Sequence, residues 1–309
     1  MRLLKRVIKL LLLSAACCWA DPYADAIYAQ IADLKNPSLE DYWLIQNYLT
    51  SGYRPYIGRL GDYESRTRQL KIIGRRPREA PRSGMAAVNC PSTDRSRCVL
   101  VYSSFNERYP KGLERLVDLI THSDFRGHVL YRVGGWPDVE GGSLTLAHLP
   151  YAFKVCFFKE AERLGFKQIF WLDAAIVPLV SLNDIFKTIE EQGYFTVGNT
   201  HSIGQYFNSH AAEAMGVTLE ETKAMPACSP GILGLDLMHE KGRQALEMWY
   251  EVTKTREEAS YSARQEMNVI SVILNQLGMT SWLDIGRTVG NQARATSETV
   301  FVIDRAFVH

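Results

Sequence analysis

Gln168-Ile169-Phe170-Trp171-Leu172-Asp173 is the stretch that decides how this chain reads. Four apolar residues in a row, Ile169 to Leu172, predict a short strand buried on both faces. The strand ends on a carboxylate. Leaving an unpaired carboxylate in a core costs roughly several kcal/mol, so Asp173 faces solvent, a ligand or a cation, or closes a turn or caps a helix. Ala174 and Ala175 follow and are small enough to let a ligand come close.

Upstream, Tyr151 to Leu164 has the spacing of an amphipathic helix and stops at Gly165. Before it, Cys98 to Ser103 and His128 to Val133 read as strands, with helical spacing from Leu113 to Ile120 between them. Downstream, Ser181 caps a helix ending near Gly193, and Tyr194 to Val197 reads as a further strand. Strands alternating with helices predict an α/β domain: a mainly parallel central sheet flanked by helices, Rossmann-like in layout. Ligands of such sheets bind beyond the carboxyl ends of the strands. That rule makes Tyr102, Ser103, Arg132 and Asp173 candidate binding residues.

The 309-residue chain divides further by composition. Residues 1–20 carry Arg2, Lys5, Arg6 and Lys9, then an apolar run to Ala20, the pattern of a signal peptide. An uncleaved signal anchor and a lipoprotein site at Cys17 are the alternatives. The run is short of the ~20 residues an ordinary span needs, so membrane attachment is expected at most at the N-terminus. The expected location is therefore exported: secreted, periplasmic or lumenal. Residues 21–60 read as a small helical appendage, 61–97 as a basic linker or loop, and 98–309 as the main domain. A net charge of +1 argues against nucleic acid as a partner. None of Cys90, Cys98, Cys156 and Cys228 forms a CxxC pair, which argues against a zinc site. Export permits a Cys90–Cys98 disulfide; buried thiols are the alternative.

The segment Tyr151-Ala-Phe-Lys-Val-Cys-Phe-Phe-Lys-Glu-Ala, followed by Gly165-Phe-Lys-Gln-Ile-Phe-Trp-Leu-Asp173, resembles the nucleotide-diphospho-sugar transferases of GT-A fold. More narrowly it resembles a glycosyltransferase-like family with a Trp-Leu-Asp-Ala motif. Gly193-Tyr-Phe, His201-Ser-Ile-Gly-Gln-Tyr206, Ser229-Pro-Gly-Ile-Leu-Gly-Leu-Asp-Leu237 and the stretch Asn268 to Met279 match in the same order. The resemblance covers about residues 98–280. It implies a GT-A-like nucleotide-sugar-binding domain and transfer of a sugar from a nucleotide-sugar donor to a hydroxyl acceptor, a glycan or another molecule. Tyr102 and Ser103 would then contact the nucleoside.

The departing diphosphate gathers negative charge and needs a cation. Many GT-A enzymes supply Mn²⁺ or Mg²⁺ on an Asp-x-Asp motif. Here the second carboxylate is missing, and Asp173 is followed by two alanines. Asp173 and His201 are the candidate ligands of such a metal, with His201 structural as the alternative. Lys154, at a matching family position, and Arg132 are the candidate cations otherwise. Trp136 in its Gly-Gly-Trp-Pro loop is a candidate platform for a sugar ring, or simple loop packing. Glu266 and Asp236 are candidate catalytic residues: Glu266 as a general base for the acceptor, Asp236 as a contact to it. An acidic helix start and a structural turn are the alternatives. The chain has Arg264-Gln265-Glu266 where the family carries a His- and Asp-rich patch. A different class is therefore open as well: a degenerate domain that binds a glycan or protein partner without turnover.

Overall fold

The computed structural model of the chain describes residues 82–103, 109–134, 136–146, 149, 151–260, 262, 265–290 and 295–305. The expected signal peptide, the segment 21–60 and the linker up to residue 81 lie outside them. Among the described residues no helix is long and apolar enough to cross a membrane.

The chain runs β1 (Arg82–Val88), β2 (Arg97–Ser103), α1 (Tyr109–Thr121), β3 (Gly127–Val133), α2 (Phe153–Arg163), β4 (Gln168–Leu172) and β5 (Ile176–Pro178). It continues through α3 (Leu182–Gln192), β6 (Tyr194–Ser202), α4 (Ser209–Ala214), α5 (Leu219–Ala224) and β7 (Pro226–Asp236). Last come α6 (Glu240–Thr255), α7 (Gln265–Gln276), α8 (Ile285–Thr288), β8 (Val289–Gly290) and β9 (Phe301–Ile303). Ser181 caps α3, accepting from the Asn183 N–H, and Gly193 ends that helix at φ +82°. Both ends are as the sequence predicts.

Six strands form one sheet in the order β1-β3-β2-β4-β7-β6. β3, β2 and β4 run parallel. β1 lies antiparallel to β3, and β7 lies antiparallel to both β4 and β6. The sheet is thus mixed rather than mainly parallel. Within this sheet, strands and helices alternate only from β2 to β6. The chain then returns through two short helices and enters β7 from the opposite end. Residues 82–88 are a second correction: they are a strand of this sheet, not part of a linker. Only Val88 of β1 is buried, because the strand sits at an edge, so it lacks the apolar run that marks an interior strand.

β4 explains its own sequence. Phe170 and Leu172 pack on one face with Leu113, Leu116 and Ile120 of α1 and Phe186 of α3. Ile169 and Trp171 pack on the other face with Phe157 of α2, Trp249 of α6 and Ile270 of α7. Alternate side chains of a strand point to opposite faces, so a strand with helices on both sides must be apolar throughout. Each such large side chain contributes roughly 1.5–3 kcal/mol by leaving water.

From β2 the chain moves outward to β3 and then returns past β2 to β4, with α1 and α2 on opposite faces. Its direction therefore reverses between β2 and β4. The crevice at the carboxyl ends of those two strands is where open α/β sheets take ligands. A small second sheet, β5-β9-β8, buttresses the chain just after that point. Its anchor is an ion pair of Arg115 with Asp304, whose N–H donates to the Ala175 carbonyl at 2.8 Å.

Cys90, Cys98, Cys156 and Cys228 are all free thiols. Cys98 is fully buried in β2, pointing into the core. Cys90 instead lies against the Gly127 carbonyl and His128.

Candidate functional site

Asp173 follows the last residue of β4, at the carboxyl end where the chain direction reverses. Its N–H donates to the Gly231 carbonyl of β7 at 2.9 Å, which fixes the backbone there. A side chain at Gly231 would crowd Asp173, since a Cβ there would lie 2.8 Å from Oδ2. Trp171 is two residues earlier, hence on the same side of the strand. Its indole Nε1 donates to Asp173 Oδ1 at 2.7 Å.

Lys154 comes in from the first turn of α2. Its ammonium lies 3.1 Å from Asp173 Oδ1 and 3.4 Å from Glu266 Oε1, and donates to the Pro230 carbonyl at 3.2 Å. It also sits 5.3 Å from the Trp171 ring centre and 5.8 Å from that of Tyr151. Glu266 is delivered by the first turn of α7. Three elements far apart in sequence thus bring two carboxylates onto one ammonium. The side chains of Lys154 and Glu266 are buried, at 4% and 11% exposure, whereas Asp173 is 45% exposed.

The charges follow from this packing. Burial works against the Lys154 ammonium, yet Asp173 and Glu266 outweigh it and hold the pKa above its ordinary value. Burial pushes the Glu266 carboxyl up, with Lys154 pulling the other way. The Glu266 charge, and then burial, push the Tyr151 phenol up to about 12. All three ammonium donors already have protein acceptors. Asp173 is the more exposed of the two carboxylates and the one a ligand meets first.

The other predicted residues do not join this cluster. Tyr102 is buried, its ring stacked on Phe153 at 4.4 Å and edge-on to Phe157, so it packs under the site. Ser103 is buried too, and its carbonyl accepts from the Gly134 N–H. Neither presents a surface to a nucleoside. Arg132 is held by both oxygens of Glu160 at 2.6 and 2.8 Å, which neutralises it. Asp236 pairs with Gln168 across β4 and β7, at the opposite end of the sheet from Asp173. There it accepts from Gln168 Nε2 and the Met238 N–H. The antiparallel entry of β7 is what carries it away from the site. His201 lies at the end of β6, edge-on to Tyr206 and beside Thr200. Trp136 is buried at 1% exposure and donates to the Ser143 carbonyl, so it packs the loop and offers no platform.

These positions test the expected divalent metal. Asp173 Oδ1 is already taken by an indole N–H and an ammonium, and that ammonium lies between the two carboxylates a cation would bridge. Among the described residues no three His, Cys, Asp or Glu side chains converge. A hard dication needs several oxygen ligands, and two carboxylates already drawn to one ammonium do not build that site. Among the described residues, the side chains present do not fit the metal.

Sequence reading missed the indole bond to Asp173 and the placement of Tyr151. The spacing of Trp171 and Asp173 carried the first signal. Tyr151 gave none, because nothing in its residue type announces a positive φ. A scan against protein-family models and a search of curated proteins each found no match for this chain.

Proposed function

We propose that this chain is a glycosyltransferase-like protein of GT-A type, which takes a sugar from a nucleotide-sugar donor and passes it to a hydroxyl acceptor. What supports the reading most is the exposed Asp173 carboxylate at the reversal point of the sheet, held from behind by Lys154, Glu266 and Trp171. Preorganised carboxylates of this kind suit the recognition and deprotonation of hydroxyls. In the transfer, the acceptor oxygen bonds to the anomeric carbon and the bond to the diphosphate breaks with its electron pair. The hydroxyl proton leaves to a carboxylate. Asp173 is the accessible carboxylate and takes that role, while Glu266, buried against Lys154, positions it. The order of motifs from Tyr151 to Met279 supports the same family.

The experiment is thermal stabilisation of the full chain by a panel of UDP- and GDP-sugars. A raised melting midpoint with one of them, lost in Asp173→Ala, is the expected result. A second reading is favoured by one observation: the ammonium and both carboxylates satisfy one another. That reading is a domain that binds a glycan without turnover. Stabilisation by glycans and by no nucleotide sugar would select it.

A further inference from the structure

Tyr151 is out of place if folding were its only task. Its backbone lies in the left-handed region at φ +61°. Among the described residues only Asn89 and Asp138 are other non-glycine residues with positive φ. Asn and Asp visit that region readily, because a short polar side chain can bond locally. Each also has work in the fold: Asn89 donates to the Ser123 and Phe125 carbonyls, and Asp138 pairs with Arg163. A bulky aromatic residue in this conformation is strained. Burial does not offset the strain, since Tyr151 remains 45% exposed.

What Tyr151 does have is position. Its ring centre is 5.8 Å from the Lys154 ammonium and 5.9 Å from the Phe153 ring. It therefore borders the cluster whose more exposed carboxylate is Asp173. The Lys154 ammonium is already set against Asp173, Glu266 and the Pro230 carbonyl. Hydroxyls are the groups such a carboxylate accepts from. A half-exposed aromatic residue beside a carboxylate matches the two sides of a pyranose: an apolar C–H face and a rim of hydroxyls.

We infer that the half-exposed Tyr151 is the platform on which the sugar ring of the donor packs, beside the Asp173 carboxylate. The inference rests on the sugar-binding reading above. It assigns a binding role to a residue which the donor reading does not itself require.

The test compares the wild-type full chain with Tyr151→Gly and Tyr151→Phe. Calorimetric titrations use UDP-glucose and GDP-mannose against UDP and GDP, and melting midpoints are read alongside. Tyr151→Gly is expected to weaken the nucleotide sugar by roughly tenfold, the scale of one lost aromatic contact. It should leave the sugar-free nucleotide unchanged. Its midpoint should match or exceed that of the wild type, because glycine adopts positive φ without strain. Tyr151→Phe, which keeps the ring, should bind as the wild type does. Equal losses for nucleotide and nucleotide sugar would give the ring to the nucleobase and overturn the inference. So would unchanged binding, or a lowered midpoint in Tyr151→Gly, which marks a structural residue. A wild-type chain that binds no nucleotide sugar at all removes the donor reading itself and takes the inference with it.

Discussion

Lys154 holds together a site whose parts repel one another. Without its ammonium, the Asp173 and Glu266 carboxylates face each other with nothing between them. Lys154→Met should therefore cost about 3–5 kcal/mol, the range for breaking a buried pair, with the lower end favoured because Asp173 keeps contact with water. Adding Glu266→Gln should restore part of it. Urea denaturation of both variants measures this, and a Lys154→Met chain as stable as the wild type would contradict the cluster. The same geometry predicts that Mn²⁺ or Mg²⁺ alone leaves the melting midpoint unchanged, since both carboxylates among the described residues of the site are already drawn to Lys154. A rise on adding either ion alone would show a cation site that these side chains do not account for. At this scale the sequence pointed to Asp173, Lys154 and Glu266 separately. Their meeting was not legible, because Lys154 lies on α2, Asp173 after β4 and Glu266 on α7. Periodicity places a residue on a face but says nothing of which faces later share a crevice.

Elements were legible where they are interior or capped. β4 and β2 announce themselves as apolar runs because helices cover both of their faces, and α3 carries a cap at each end. β7 was harder to see. Pro226, Ser229, Pro230 and Gly231 interrupt its first half, and only Ile232 to Leu235 is an apolar run. Close backbone packing is a further signal that pattern alone hides. A Cβ at Gly242, near the start of α6, would lie 2.2 Å from the Asp236 carbonyl and 2.5 Å from that of Gly193. Neither backbone group can move without shifting a strand end. Gly242→Ala should thus destabilise by about 1–3 kcal/mol, despite alanine's better helix propensity, and a more stable variant would refute that packing. His128, at the start of β3, gives a pH signature. Burial lowers its pKa below 6.5; Arg95 pushes the same way, while the Ser92 carbonyl and Asp94 oppose, and the Cys90 thiol lies 3.8 Å away. The unfolded chain thus takes up a proton before the native one does. Stability should fall as pH drops through about 6.5 and be unaffected by this group above it. The difference between wild type and His128→Gln in denaturant titrations from neutral to mildly acidic pH isolates the effect, and parallel curves would exclude it.

For the whole molecule, the last described strand, β9, pairs with β5 just beyond the site, and a buried ion pair braces it there. Arg115 of α1 and Asp304 after β9 are both nearly buried, and the Asp304 backbone bonds to Ala175, two residues beyond Asp173. Asp304→Ala leaves a guanidinium buried without its carboxylate. A loss of about 3–5 kcal/mol is expected, with faster amide exchange along β5 and β9. Unchanged exchange there would mean that the pair does not hold the small sheet in place. The amino-acid sequence by itself determined the α/β class, the interior strands and the carboxylate at the end of β4, because local periodicity and capping act within a few residues. Tertiary structure alone decided that β7 enters antiparallel and takes Asp236 to the far end of the sheet. It alone decided that Glu160 neutralises Arg132, and that Lys154 gathers Asp173 and Glu266. Those outcomes depend on which distant elements share a face, and Coulomb attraction between charged groups acts through space, not along the chain.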